Sequence, residues 1–133
     1  MRKAILCVDD EHIILESLKY QLKDHLRNEY MIEIAQSGNE ALEVIEELHE
    51  EETVVAAVVS DWLMPGMKGD ELLVRIHQQF PDIITLMLTG HADPAAIERA
   101  KSEANLYALL RKPWKEEELI DALRAGLSLP AQG

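Results

Sequence analysis

Short aliphatic runs and amphipathic stretches alternate along the whole chain, and few folds accommodate that order. The aliphatic runs are Ala4–Val8, Met31–Ala35, Val54–Val59, Ile83–Leu88 and Leu106–Leu110, two of which carry one polar residue, Glu33 and Thr85. Runs of this length and composition read as strands, some of them buried on both faces. Between them, Leu15, Leu18, Leu22 and Leu26 recur at helical spacing. So do Leu42, Ile45 and Leu48, then Leu72, Leu73, Ile76 and Phe80, and lastly Leu119, Ile120, Leu123 and Leu127. Such spacing marks one apolar face of a helix. Ala96, Ile97, Ala100 and Ala104 form a weaker stripe. Ser37 with Glu40 has the form of a capping box, and Asp93 before Pro94 suits an N-cap and first helical turn. The order is five strand–helix units. Right-handed crossovers fold these into a parallel α/β sheet with helices on both faces.

The bulk numbers agree with one domain. The chain has 133 residues, 47% of them hydrophobic, enough for an ordinary core. Its 13 basic and 25 acidic residues give a net charge of −12, which argues against a direct electrostatic grip on nucleic acid or on an anionic membrane. No apolar run approaches the roughly 18 residues of a membrane span. The N-terminus turns acidic within a few residues and lacks a cleavage site, so it does not read as a secretion signal. The single Cys7 cannot form an internal disulfide, which fits a reducing, cytoplasmic location. Glu46–Glu52 reads as a solvated helix end. Residues 1–128 read as the domain and 129–133 as a tail or the start of a linker to an absent output domain.

In an open parallel sheet, ligands bind beyond the carboxyl ends of the strands. Polar residues gather at four such ends: Asp9 and Asp10 after the first strand, Asp61 after the third, Thr89 after the fourth and Lys112 after the fifth. Taken singly, each has an ordinary structural role, as a cap, a turn residue or an exposed lysine. Four such signals on one edge point to a site. Clustered carboxylates repel unless a cation sits among them. Hard oxygen ligands favour Mg²⁺, which takes one or two carboxylates together with phosphate oxygen. Thr89 as a hydrogen-bond donor and Lys112 as a point charge suit an incoming phosphoryl group. An aspartate there can attack phosphorus and hold an acyl phosphate.

Asp9-Asp10, Asp61 followed by Met64-Pro65-Gly66-Met67-Lys68-Gly69, Thr89-Gly90 and Lys112-Pro113, in that order, resemble the receiver domain of two-component response regulators, the CheY-like family. The likeness runs from about Lys3 to Leu127. It implies a flavodoxin-like fold of five strands in the order 2-1-3-4-5. It further implies Asp61 as phosphoacceptor and a histidine kinase or histidine phosphotransfer protein as donor. Mg²⁺ (with Mn²⁺ as an acceptable substitute) would be held by Asp10, Asp61 and the backbone carbonyl of Leu63, with Asp9 acting through water or from behind these ligands. Thr89 and Lys112 would read the phosphoryl group, and the Lys112–Pro113 bond would be cis. The last two strand–helix units would form a homodimer or output-domain face. The Lys112-Pro113-Trp114 ending resembles a KPW-type subgroup.

The chain departs from the family at Leu109, where many members carry a tyrosine or phenylalanine that moves inward on activation. Tyr107, two residues earlier, is expected on the same side of the strand, further from the active edge. Without the ring, signalling is expected to rely on the loop from Thr89 to Asp93, or on the Tyr107 and Trp114 surface. Asn105 replaces a glycine and is the residue type next most tolerant of left-handed backbone. Trp62 is expected beside the site and partly exposed, and Trp114 at the start of the last helix. His12 and His91 lie near the site but suit hard Mg²⁺ poorly; His91 reads as lining the mouth. Three other functions fare less well. A haloacid-dehalogenase-like phosphohydrolase needs an acid two residues after its nucleophile, where Leu63 stands. A flavin binder needs small residues and bare amides where this chain has acids. A docking-only receiver would not need the full set of site residues.

Overall fold

A computed structural model describes residues 2–90 and 93–129. Ten elements alternate as expected: β1 (Arg2–Val8), α1 (His12–Leu26), β2 (Met31–Ala35), α2 (Gly38–Glu50), β3 (Thr53–Asp61), α3 (Gly69–Gln79), β4 (Ile84–Thr89), α4 (Pro94–Glu103), β5 (Ala108–Arg111) and α5 (Glu116–Gly126). All strand pairings are parallel and the order is β2-β1-β3-β4-β5.

The period of two along each strand divides the core into two layers. Ala4, Leu6 and Val8 of β1 face one layer, built with Ile45 of α2, Leu72, Leu73 and Ile76 of α3, Ala100 of α4 and Ala104 just after it. Ile5 and Cys7 face the other, built with Leu15, Leu18, Leu22 and Leu26 of α1 and Leu119, Ile120 and Leu123 of α5. The apolar stripes read from the sequence are therefore the packed faces, except at Ile97, which lines a surface cleft. The pairing of β1 with β3 slips by one residue between Ala4 and Ile5. This bulge resets the phase of β3, so Ala57 and Val59 pack toward α1 and α5, and Asp61, two residues on, shares their phase.

Local chemistry explains the helix starts. Ser37 Oγ accepts from the Glu40 N–H at 3.1 Å. Glu40 answers one residue further back than a strict capping box does, accepting from the Gln36 N–H at 3.2 Å. Asp93 Oδ1 accepts from the Ala95 N–H at 3.0 Å, with Pro94 in the first turn.

Several boundaries move. β3 starts one residue earlier and runs to Asp61, and β4 ends on Thr89, so both residues belong to strands instead of following them. β5 begins only at Ala108. Asn105 takes φ +52°, and the Leu106 N–H turns back to the Ala100 carbonyl. The alternation expected for Tyr107 and Leu109 therefore does not hold. Leu109 packs in the α3/α4 layer, whereas the Tyr107 ring lies beside Gly126 at the end of α5, next to Ile84. Trp114 precedes α5 by two residues instead of opening it. It packs in the α1/α5 layer and donates from Nε1 to Gln21 Oε1 at 2.8 Å. The Lys112–Pro113 bond is cis. His91 lies outside the described residues, as do Ala92 in the loop before Asp93 and all of the expected tail except Leu129.

Candidate phosphoryl-transfer site

The carboxyl edge of the sheet brings the six predicted positions together. Backbone hydrogen bonds carry the strand ladders into the site. The Asp9 N–H donates to the Ala35 carbonyl at 3.2 Å, the Trp62 N–H to Leu88 at 3.1 Å, and the Lys112 N–H to Thr89 at 2.9 Å. Asp9, Lys112 and the residue after Asp61 are thus pinned to neighbouring strands, and Asp61 and Thr89 are themselves paired strand residues.

Asp9 is fully buried. Its Oδ1 accepts from the Glu11 N–H at 2.9 Å and its Oδ2 from Lys112 Nζ at 2.8 Å. The same ammonium lies 3.1 Å from Asp61 Oδ1. Burial pushes the Asp61 carboxyl above its usual range, against the hydrogen bond from Lys112 that favours its charged form. For Lys112, burial acts to lower its affinity for the proton, but its hydrogen bonds to Asp9 and Asp61 outweigh that and raise it. The lysine stays charged and partly neutralises two buried acids. Asp10, by contrast, is exposed. One carboxylate oxygen from each of Asp9, Asp10 and Asp61 lies within 4.8 Å of the others. Three hard carboxylates this close, with the Lys112 ammonium among them, fit a divalent cation of the Mg²⁺ type.

A cleft of about 270 Å³ opens over Asp61, lined by Glu11, Leu63, Thr89, Gly90 and Lys112. Leu63 is 60% exposed. His12 is exposed and pairs with Glu16 at 3.4 Å, away from the acids.

The loop after Asp61 is tightly folded. Gly66 has φ +77°, and the Gly69 N–H closes the loop on the Trp62 carbonyl at 2.8 Å. A Cβ at Gly69 would overlap the Asp61 carbonyl oxygen, so α3 can start this close to Asp61 only from glycine. Trp62 is half-buried, as expected, and its Nε1 donates to Asp70 Oδ1 at 3.1 Å. Sequence reading missed Asp70. An acid in the first turn of a helix is ordinary, and nothing in the spacing links it to Trp62.

The response regulator receiver domain family matches residues 5–124. The chain belongs to that family. It is a receiver domain, the phosphorylation-responsive module of two-component signalling. Among curated proteins, it is 30% identical to the hydrogenase transcriptional regulatory protein HoxA of Cupriavidus necator over 98% of this chain. It is 35% identical to the response regulator MprA of Mycolicibacterium vanbaalenii over 94%. The chain spans 25% of HoxA and 50% of MprA. Among solved structures, the signal receiver domain of an HD domain-containing protein from Pseudomonas fluorescens Pf-5 superposes with a TM-score of 0.85 at 35% identity, covering 96% of each chain. Among the described residues, no helix of this receiver domain is long and apolar enough to cross a membrane.

Proposed function

We propose that Asp61 accepts a phosphoryl group from a histidine kinase or histidine phosphotransfer protein, and that residues 1–128 form the switching domain. The observation that carries this reading is Lys112 Nζ, placed 2.8 Å from Asp9 and 3.1 Å from Asp61 at the floor of an open cleft. A carboxylate oxygen of Asp61 attacks phosphorus, the P–N bond of the phosphohistidine breaks, and the imidazole nitrogen leaves with the electron pair and takes a proton. In slow self-hydrolysis, water attacks phosphorus, inorganic phosphate departs and the Asp61 carboxylate is restored.

Asp10, Asp61 and the Leu63 carbonyl would hold Mg²⁺, which when bound offsets the charge gathered on the carboxylates and phosphoryl oxygens. Asp9 has both oxygens engaged by protein donors, which supports an indirect role. Lys112 can transfer its hydrogen bond from Asp61 to a phosphoryl oxygen, and Thr89 closes the cleft beside it. Catalysis in such a site is positioning and charge neutralisation. The face made by the last two strand–helix units is the proposed dimer or output-domain surface.

The test is intact mass after incubation with a small phosphodonor, with and without Mg²⁺, beside Asp61→Asn. One phosphoryl group gained, dependent on both Mg²⁺ and Asp61, is the expected result. If neither the small donor nor candidate phosphodonor proteins transfer a group to the folded, Mg²⁺-supplied protein, the reading gives way to a docking-only receiver.

A further inference from the structure

The residue next to the acceptor is tied to α4 through one buried carboxylate. Trp62 Nε1 donates to Asp70 Oδ1, while Asp70 Oδ2 lies 3.8 Å from an Arg99 nitrogen on α4. Arg99 also pairs with Glu103 at 3.3 Å on its own helix. Lys68 Nζ sits over the indole at 5.3 Å from its centroid. The ring is therefore held at its N–H edge and on one face. Trp62 also borders a cleft of about 700 Å³ lined by Thr89, Ile97 and Leu109 among others. No aromatic residue of β5 lines that cleft.

Asp70 is 8% exposed. A helix-capping acid gains from the dipole without such burial. Because the carboxylate is buried, loss of the Trp62 donor would leave Oδ1 facing the interior unsatisfied, and loss of Arg99 would remove the positive charge that offsets it from α4. Its two partners stand on different elements, one beside Asp61 and one on α4. We propose that Asp70 is a positioning residue coupling the acceptor loop to α4. Movement of the Trp62 ring releases or tightens Arg99, and movement of α4 is felt beside Asp61. Linkage makes the effect reciprocal. Its use in signalling rests on the receiver reading above; the coupling itself belongs to the unphosphorylated protein.

The test is amide hydrogen exchange on the full chain without phosphodonor. Arg99→Met keeps the aliphatic stem and removes the charge. It should speed exchange in the segment from Trp62 to Lys68 by about five-fold or more, in addition to any change in α4. Arg99→Lys should recover part of the protection. Trp62→Phe should speed exchange in α4 by a similar factor. The double variant should do little more to the acceptor loop than Trp62→Phe alone. Glu103→Gln removes the other partner of Arg99 and should leave the loop unchanged. Effects of Arg99→Met confined to α4 would overturn the coupling, and so would a loop response to Glu103→Gln as large as that to Arg99→Met. Phosphoryl uptake is measured on the same samples. Coupling without uptake would count against the receiver reading alone; uptake without coupling would count against this inference alone.

Discussion

The strand that carries Asp61 and the strand that leads into Lys112 are built to different standards. β3 lies between β1 and β4, runs nine residues, and buries all but Val54 and Ala56. β5 is an edge strand of four residues, none of them fully buried. Asp61 is thus fixed by the core, through a strand paired on both sides up to Ser60, its own pairing with Leu88 of β4, and a loop folded hard against its carbonyl. Lys112 extends from a thin edge. Its tip is placed by charge, through Asp9 and Asp61, more than by packing. In the proposed function Asp61 is a nucleophile that must meet phosphorus in line, and such a group benefits from rigidity. Lys112, proposed to pass from a carboxylate to a phosphoryl oxygen, benefits from the opposite.

Perturbing the rigid side should cost most. Gly69→Ala would drive a methyl group into the Asp61 carbonyl and within 2.9 Å of Trp62 Cα, both backbone groups with little freedom to yield. We expect a loss of about 3 kcal/mol in urea unfolding. A loss below about 1 kcal/mol would mean that the loop relaxes away and that the acceptor edge is softer than the comparison holds. Lys112→Met should cost less, about 2 kcal/mol, by leaving the Asp9 and Asp61 carboxylates without their shared cation. Added Mg²⁺ should then raise the melting temperature of this variant more than that of the parent, because it supplies the missing charge. Equal Mg²⁺ responses in the two proteins would show that the metal and the lysine do not compensate the same carboxylates.

The same contrast governs what could be read from the sequence. β1 to β4, the two-sided core and the edge that gathers Asp9, Asp10, Asp61, Thr89 and Lys112 were legible, because unbroken aliphatic runs and leucine stripes leave few alternatives. Ser37 and Asp93 were legible as caps because capping is local. The β5 region was misread at both ends. Leu106 and Tyr107 look like strand residues, but the left-handed turn at Asn105 delays the strand and sends the tyrosine ring to α5. Trp114 looks like a helix start, but its indole is used against Gln21 while α5 begins two residues later. The link from Trp62 through Asp70 to Arg99 had no sequence signal at all. It depends on the packing of α3 against α4, which no periodicity encodes.

The smallest expected effect comes from the edge strand. Leu109 is half-buried on β5 and lines the cleft shared with Trp62. Leu109→Tyr adds a ring where open space already exists, so stability should change by no more than about 1 kcal/mol. Phosphorylation rate should change less than dimerisation or partner binding, since the acceptor stands on β3 and the added ring on β5. A large fall in phosphorylation rate would show that the edge strand controls the acceptor after all. The ring would also give the edge strand its own contact with the cleft. If that contact substitutes for the path through Asp70, Arg99→Met should disturb the acceptor loop less in the Leu109→Tyr background than in the parent. If the disturbance is undiminished, the two routes are independent, and the rigid strand communicates with α4 without help from its softer neighbour.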